Sequence, residues 1–307
     1  LLELLETNSL RVKENALTAL VQLCRKSPGT QAAVTEAGAI PKILGVFGGL
    51  AGVASAKEVL ASMCELYSLA ACVVSELVKD NSPNKEAFAE GGAVQYLVMM
   101  LGSQKMQANA ARALAALARE HTENRSLVAR LGAIGPLCAL LREGDDGTKV
   151  QSAAALWAIA SGDTANKQTI AKLGCVDPLV ALLVTGSGEK SLIVSAGALT
   201  SLASRHVENR GVVAKRLVGL LKTSAMQVSD RAVRVLAGLA RFTHASTHNQ
   251  IAIAKSGGVA PLVKWLTTAN DQQAQTEAAS VLRSLSTNNP TTQALIIKSS
   301  GLPPLVS

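Results

Sequence analysis

Four groups of residues in this sequence have types and spacing that could do chemistry: a glycine-rich stretch, a histidine pair, an aspartate pair and five cysteines. The glycine-rich stretch, TGSGEKS at 185–191, is similar to a phosphate-binding loop. That motif requires the lysine to follow the second glycine directly, and Glu189 stands between them. His244 and His248 have the spacing of zinc ligands on a helix, but no cysteine or carboxylate is adjacent. We therefore predict neither a nucleotide site nor a metal site.

Asp145 and Asp146 lack the alternating oxygen ligands and the terminal glutamate of a calcium-binding loop. The cysteines show no C-x-x-C spacing and mostly lie in apolar helical stretches, so we expect no disulfide framework. This pattern favours a reducing compartment, and we expect a cytoplasmic location, with nuclear or cytoskeleton-associated locations as alternatives. Because no catalytic or cofactor motif remains, we expect no enzyme activity, no cofactor and no small-molecule substrate.

Composition indicates many short helices. Hydrophobic residues make up 48% of the 307 residues but aromatic residues only 2%, and the abundant Ala, Leu and Val let helices approach closely. Every apolar run is shorter than the roughly 18 to 20 residues of a membrane span, so we expect none. The net charge of +8 favours an acidic partner. The scarcity of aromatic rings, on which bases stack, argues against nucleic acid.

A short template recurs along the chain: an Asn or Thr, an apolar residue four positions later and, in most copies, a Gly eight positions later. The copies begin at Thr30, Asn84, Asn124, Asn166, Asn209, Asn249 and Thr292. Successive copies are 54, 40, 42, 43, 40 and 43 residues apart. A period close to 42 predicts an array of stacked repeats.

Each position of the template has a predicted role. We expect the Asn or Thr to cap a short first helix, and the Gly to end that helix in the left-handed conformation. A second apolar helix follows, often with an early Pro. A polar turn then leads to a longer third helix, such as VQSAAALWAIA at 150–160. The chain is therefore predicted to be all-α, with three helices in each repeat.

The pattern N-x-x-x-I-x-x-x-G-A-I-P-x-L-V-x-L-L, followed by A-A-x-A-L-x-x-L-A, resembles the armadillo repeat over essentially the whole chain. The resemblance implies a right-handed α-solenoid superhelix and a single armadillo-repeat domain over 1–307. We expect a partial repeat at 1–29, six repeats starting at 30, 84, 124, 166, 209 and 249, and a partial repeat at 292–307. Both ends are expected to cut the array. HEAT repeats, the alternative, lack the short capped first helix.

Two copies depart from the template. The first has about a dozen extra residues between Phe47 and Cys64, which a loop or a lengthened third helix would absorb. The copy from Asn209 has Leu217 in place of the usual Gly and lacks the linker between its first two helices. We expect either a tighter turn or a deleted loop there.

In armadillo families the third helices line a concave groove that holds an extended peptide. Residues spaced three, four and three apart on each third helix face one way. The groove residues expected to contact a partner are Asn109, Arg112, Arg119, Gln151, Ser201, Arg231, Arg234 and Arg241. Importin-α carries a Trp and an Asn four residues apart on this face, and the corresponding positions of this sequence hold neither residue. The arginines make the groove resemble that of β-catenin more than that of importin-α.

We therefore predict a non-catalytic scaffold or adaptor that binds an extended, acidic or phosphorylated segment of another protein, because guanidinium groups pair bidentately with carboxylates and phosphates. Three alternatives stay open. The chain could be a structural component of a cytoskeletal or ciliary assembly that uses its ends and convex face. It could also be a nucleic-acid-binding solenoid, or the substrate-binding part of a longer ubiquitin ligase.

Overall fold

Helices joined by short turns make up the part of the chain that the structure describes. This computed structural model describes residues 1–26, 28–51, 63–186, 188–222, 231–237, 246–268 and 272–299. Every regular element within those ranges is helical, which confirms the predicted all-α class. The helices group into two compact units, Leu1–Ile159 and Ala160–Ser307.

The first unit opens with a short 3-10 helix, Leu2–Glu6. The helices that follow are α1 (Leu10–Lys26), α2 (Pro28–Glu36), α3 (Ala39–Gly48), α4 (Cys64–Leu77), α5 (Ser82–Glu90), α6 (Ala93–Met100), α7 (Gln107–Ala118), α8 (Thr122–Arg130), α9 (Ile134–Glu143) and α10 (Asp146–Ala160). The second unit contains α11 (Thr164–Lys172), α12 (Val176–Thr185), α13 (Glu189–Ala203), α14 (Val207–Leu220), α15 (231–237), α16 (Ser246–Lys255), α17 (Val259–Thr268), α18 (Gln272–Ser286) and α19 (Pro290–Lys298).

A glycine with positive φ separates the first helix from the second in five repeats. These glycines are Gly38, Gly92, Gly132, Gly174 and Gly257, with φ between +72° and +84°. This conformation ends a helix at little steric cost only when the residue has no Cβ. The predicted role of the template Gly is thus confirmed.

The template Asn does not cap the first helix, so that prediction is wrong. The cap is the residue three positions earlier, namely Asn81, His121, Asp163, His206 and Asn289. At α5, for example, the backbone N–H of Asn84 donates to Oδ1 of Asn81 at 3.0 Å. Asn81 has extended backbone, with φ −131° and ψ 95°, as an N-cap requires. The template residue already lies inside the helix.

The template Asn instead joins neighbouring repeats. Nδ2 of Asn84 donates to the carbonyl oxygen of Leu77, the last residue of α4, at 2.7 Å, and to Oγ1 of Thr35 in α2 at 2.9 Å. Asn84 is 3% exposed. A buried amide must find partners, and the carbonyls at a helix C-terminus have none within their own helix. The Asn therefore links its own first helix to the preceding repeat.

The residue after the template Asn reaches the end of the third helix in its own repeat. Nζ of Lys85 donates to the carbonyl oxygen of Arg119 at 2.6 Å, and Nζ of Lys167 donates to that of Ser204 at 2.7 Å. Both lysines are at most 5% exposed. Burial lowers the pKa of each of them. A cation at a helix C-terminus also interacts favourably with the helix dipole.

The two copies that depart from the template have different outcomes. In the Asn209 copy, α14 runs without a break from Val207 to Leu220, so the first two helices are merged. The expectation of a tighter turn is therefore wrong, and the alternative of a deleted loop stays a prediction. Leu217 replaces the helix-ending Gly, and Leu favours continuation of the helix. The extra residues of the first copy mostly lie at 52–62, outside the described residues.

Small apolar residues form the core. In α7, all seven buried residues, from Ala110 to Ala118, are alanine or leucine, and the helix packs against α4 and α6. Cys24, Cys64 and Cys72 are buried. Cys138 and Cys175 are each disulfide-bonded, so the expectation of no disulfide is wrong at these positions, because a disulfide does not require C-x-x-C spacing.

Among the described residues, no single helix is both long enough and apolar enough to cross a membrane. Helices α11 and α12 reach that length and composition only as a pair, and they are bent by 79° at the break between them.

Candidate binding surface on the third helices

Three third helices pack side by side in the order α1, α4 and α7. Helix α1 belongs to the partial repeat at 1–29, and α4 and α7 belong to the repeats that start at 30 and 84. Their predicted groove stripes hold Asn15, Thr18, Gln22 and Arg25 on α1, Leu69, Cys72, Glu76 and Lys79 on or just after α4, and Asn109, Arg112, Ala116 and Arg119 on or just after α7. All of these side chains except Cys72 are half-buried or exposed. We call this set the α1–α4–α7 surface.

A three-residue ion cluster lies at the centre of this surface. Glu76 of α4 accepts from Nε of Arg25 at 3.3 Å and from Nη2 of Arg112. Both guanidinium groups contact the same carboxylate oxygen, Oε1. The side chains of Glu76, Arg112 and Arg25 are 13%, 25% and 45% exposed. Arginines from the helices on either side of α4 therefore converge on one carboxylate.

Asn109 lies on the same face, one turn before Arg112. Its Nδ2 donates to Oγ of Ser68 in α4 at 2.7 Å. Asn109 thus helps to fix α7 against α4, and its side chain is half-buried.

Arg119 has an exposed side chain at the end of α7. It is the C-cap residue with extended backbone, φ −65° and ψ 123°, and its carbonyl oxygen receives Nζ of Lys85. The backbone of Arg119 therefore joins the first and third helices of its own repeat, while its side chain is exposed.

Gln151 and Ser201 are both half-buried, on α10 in the first unit and on α13 in the second. Gln151 is not part of the ion cluster of Glu76.

In the second unit, the side chain of Arg231 hydrogen-bonds to the C-terminal end of α12. Its Nη1 donates to the carbonyl oxygens of Leu183 at 3.0 Å and Val184 at 2.8 Å, at the C-terminus of α12. These carbonyls have no partner within their own helix. Arg231 thus has a structural role whatever else it binds.

Arg234 on α15 forms an ion pair with Glu277 on α18, with 3.6 Å between Nε and Oε2. The side chain of Arg234 is 40% exposed and that of Glu277 is 17% exposed. Like the pair of Arg112 and Glu76 in the first unit, this pair joins an arginine and a glutamate on the predicted groove stripes of two third helices. Arg241 lies outside the described residues.

The sequence model of the Armadillo/beta-catenin-like repeat matches residues 121–161 and 246–287. These segments are armadillo repeats. Each runs from the first-helix cap region through the third helix, α8 to α10 and α16 to α18. A comparison with curated protein sequences finds no match.

Solved armadillo-repeat structures share the fold. The chain is similar to a designed armadillo repeat protein, YIII(Dq)4CqI, with a TM-score of 0.62 and 20% identity over 93% of this chain and 98% of that one. It is also similar to an engineered protein, target OR497, with a TM-score of 0.76 and 26% identity over 99% of this chain and 72% of that one. A third is the designed protein YIII(Dq.V1)4CPAF in complex with the peptide (KR)4, with a TM-score of 0.57 and 19% identity over 93% and 98% of the two chains.

The stripes of the α1–α4–α7 surface carry a net positive charge. They carry four cations, Arg25, Lys79, Arg112 and Arg119, and one carboxylate, Glu76. Cys72 lies one turn before Glu76; burial raises the pKa of its thiol, and the charges of Arg112 and Arg25 oppose that rise. The surface therefore offers guanidinium donors and no activated thiolate.

Among the residues that the sequence analysis considered as possible metal ligands, Asp145 has a structural role. Oδ1 of Asp145 accepts from the backbone N–H of Thr148 at 2.7 Å at the start of α10, and this bond lowers the pKa of Asp145. His248 is exposed, and His244 lies outside the described residues. Within the described ranges, no group of three or more His, Cys, Asp or Glu could hold a metal ion.

Sequence reasoning missed the role of the two stripe glutamates, Glu76 and Glu277. Both stand on the stripes, but neither was expected to pair with an arginine. The signal was an acidic residue on one third helix and an arginine on a neighbouring one. Converting that signal into a contact needs the register between helices, which a single sequence does not give.

Proposed function

We propose that this chain is a non-catalytic protein-binding scaffold and that its α1–α4–α7 surface holds an extended acidic segment of another protein. The observation that carries the proposal is the imbalance of four cations against one carboxylate on that surface. Opposite charge steers a partner to such a surface and fixes its register.

The positions of the arginines suit an extended segment. Arg25 and Arg112 come from helices on opposite sides of α4, and both contact Oε1 of Glu76. A partner carboxylate above α4 would therefore meet two guanidinium groups at once. Neighbouring helices lie roughly 8–10 Å apart, and an extended chain advances about 3.3 Å per residue. About three partner residues would cross each helix.

Two similar proteins support peptide binding by this fold. One designed armadillo repeat protein is in complex with the basic peptide (KR)4, and another series was designed for modular peptide recognition. In this chain the stripes of the first unit are basic, so the same kind of surface would select the opposite charge. The proposal for an acidic partner rests on the chain's own charges.

The test is a titration of two fluorescently labelled peptides, (Glu-Ser)4 and (Lys-Arg)4, with the full chain, followed by fluorescence anisotropy. We expect binding of the acidic peptide, weakening with salt, and none of the basic one. Lys79→Glu and Arg119→Glu each change an exposed cation on the surface. Each should weaken binding roughly threefold to tenfold, because an exposed ion pair contributes up to about 1 kcal/mol and the reversed charge adds repulsion.

The matched control is Arg130→Glu. It makes the same charge change at an exposed residue in the last turn of α8, a first helix. We expect its affinity to equal that of the unchanged chain. Equal binding of the acidic and basic peptides, or an equal loss in the control, would contradict the proposal.

A further inference from the structure

We propose that Glu76 competes with an acidic partner segment for Arg25 and Arg112 of the α1–α4–α7 surface, and that it thereby lowers the affinity for that segment. The inference rests on the proposed function of this surface. It assigns to one glutamate the control of how strongly a carboxylate-bearing ligand binds.

Geometry places Glu76 where a ligand carboxylate would bind. It accepts from Nε of Arg25 at 3.3 Å and also from Nη2 of Arg112. Its side chain is only 13% exposed, so it is held close to the protein surface rather than extended into solvent. A partner carboxylate that pairs with either guanidinium group beside its contact with Glu76 would lie within about 5 Å of the Glu76 carboxylate, given ordinary hydrogen-bond lengths.

Charge decides the direction of the effect. Two guanidinium groups and one carboxylate leave a single net positive charge on the cluster, and removing the carboxylate charge would leave two. Repulsion between two like charges about 5 Å apart amounts to roughly a fourfold loss of affinity at the dielectric constant of water and to roughly a few hundredfold at the effective value of about 20 near a protein surface. This partly exposed cluster lies between those limits. Glu76 therefore opposes a ligand acid more strongly than its small exposure suggests.

Removing the charge of Glu76 would also have an effect that lowers the affinity, because the side chain of Arg25 would become less ordered. Without Glu76, Arg25 would lose the partner that fixes its long side chain, and immobilising it on binding costs roughly threefold in affinity. Arg112 is only 25% exposed, and α7 stays fixed to α4 through the bond from Asn109 to Ser68. Repulsion is thus the larger effect, and the net result of removing the charge is a gain.

The experiment compares the full chain with its Glu76→Gln and Glu90→Gln variants in titrations of the labelled (Glu-Ser)4 peptide. Glu90 is the exposed last residue of α5, a first helix outside the α1–α4–α7 surface, so it controls for the change in net charge. We expect Glu76→Gln to bind roughly threefold to tenfold more tightly and Glu90→Gln to bind as the unchanged chain does. Thermal unfolding followed by circular dichroism checks that both variants are folded.

A double-mutant cycle adds a second readout. Arg25→Gln should weaken binding more in the Glu76→Gln background than in the unchanged chain, because Glu76 no longer masks that arginine. Equal losses in the two backgrounds would overturn the inference even if Glu76→Gln alone bound more tightly.

The outcomes separate the inference from the proposed function. If the unchanged chain binds the peptide and Glu76→Gln binds equally or more weakly, Glu76 orders the arginines instead, and only the inference fails. Binding by Glu76→Gln alone would support the inference in its strongest form. If neither protein binds the peptide, both the inference and the proposed function fail.

Discussion

Nδ2 of Asn124 donates to the carbonyl oxygen of Lys85, 39 residues earlier in the chain, at 3.0 Å. The same nitrogen donates to the carbonyl oxygen of Leu117 in α7 at 3.3 Å. Asn209 makes the equivalent bonds to Lys167 and Leu202, both at 3.2 Å. One buried amide thus joins the first helix of a repeat to the first and third helices of the repeat before it.

Replacing Asn124 with Ala should therefore loosen a repeat junction. Two buried carbonyl oxygens lose their donor, and we expect the free energy of unfolding to fall by about 3 kcal/mol. Urea unfolding followed by circular dichroism measures the change. The control is Asn15→Ala at an exposed position on α1, where we expect a change within about 0.5 kcal/mol. Equal effects of the two substitutions would contradict the role of the buried amide.

Lys167 should make stability depend on alkaline pH. Burial lowers its pKa in the folded chain below the ordinary value of 10.5. Between those two values the unfolded chain binds more protons, so the contribution of Lys167 to stability rises with pH and is complete above 10.5. Other groups also titrate between about pH 8 and about pH 10, so the comparison is with Lys167→Met: in urea unfolding, the change in stability over this range should be more positive in the unchanged chain than in the variant. A change of the same size in both proteins would count against it.

Cys24 should have the opposite effect. Burial, with the charge of Glu76 as a smaller cause, raises its pKa from 9.0 to about 11. The folded chain keeps the proton longer, so this contribution to stability is complete below pH 9.0 and is lost as pH rises through about 11. The loss should be about 2–3 kcal/mol. Cys24→Ala should remove it, and an unchanged pH profile in that variant would refute the assignment.

Gly132 and Gly135 test the conformational role of the template Gly. A Cβ built at either position meets no atom within 4 Å, but only Gly132 has positive φ, at +84°. Gly132→Ala should therefore destabilise the chain by about 1–2 kcal/mol. Gly135→Ala, inside α9, should stabilise it by up to about 1 kcal/mol. Thermal unfolding compares the two, and a shift in the same direction for both would show that φ is not the cause.

Much of the architecture could be predicted because the same residue pattern recurs in each repeat. The period could be read from the spacing of the template residues. The left-handed Gly that ends the first helix could be predicted because glycine adopts positive φ more readily than other residues. The merged α14 was also within reach, since Leu217 lacks the conformational freedom of the Gly it replaces.

The cap and the ion cluster were harder to predict. Asn is a common N-cap residue, and residue type alone placed Asn124 at the cap, whereas His121 holds that position. The pairing of Arg112 with Glu76 depends on how α7 packs against α4, and that register is set by tertiary contacts. Arg231 was expected in the groove, yet it binds the end of α12 for the same reason.

The donors at the repeat junctions are side chains, but most of the acceptors are backbone carbonyls. The same holds within a repeat, where the carbonyl oxygen of Arg119 accepts from Lys85 regardless of which side chain residue 119 carries. Selection can therefore change the exposed side chains at the ends of the third helices without altering the bonds that join the first and third helices of a repeat. Residues 119 and 204 are positions where new binding specificities could evolve while the architecture is inherited unchanged.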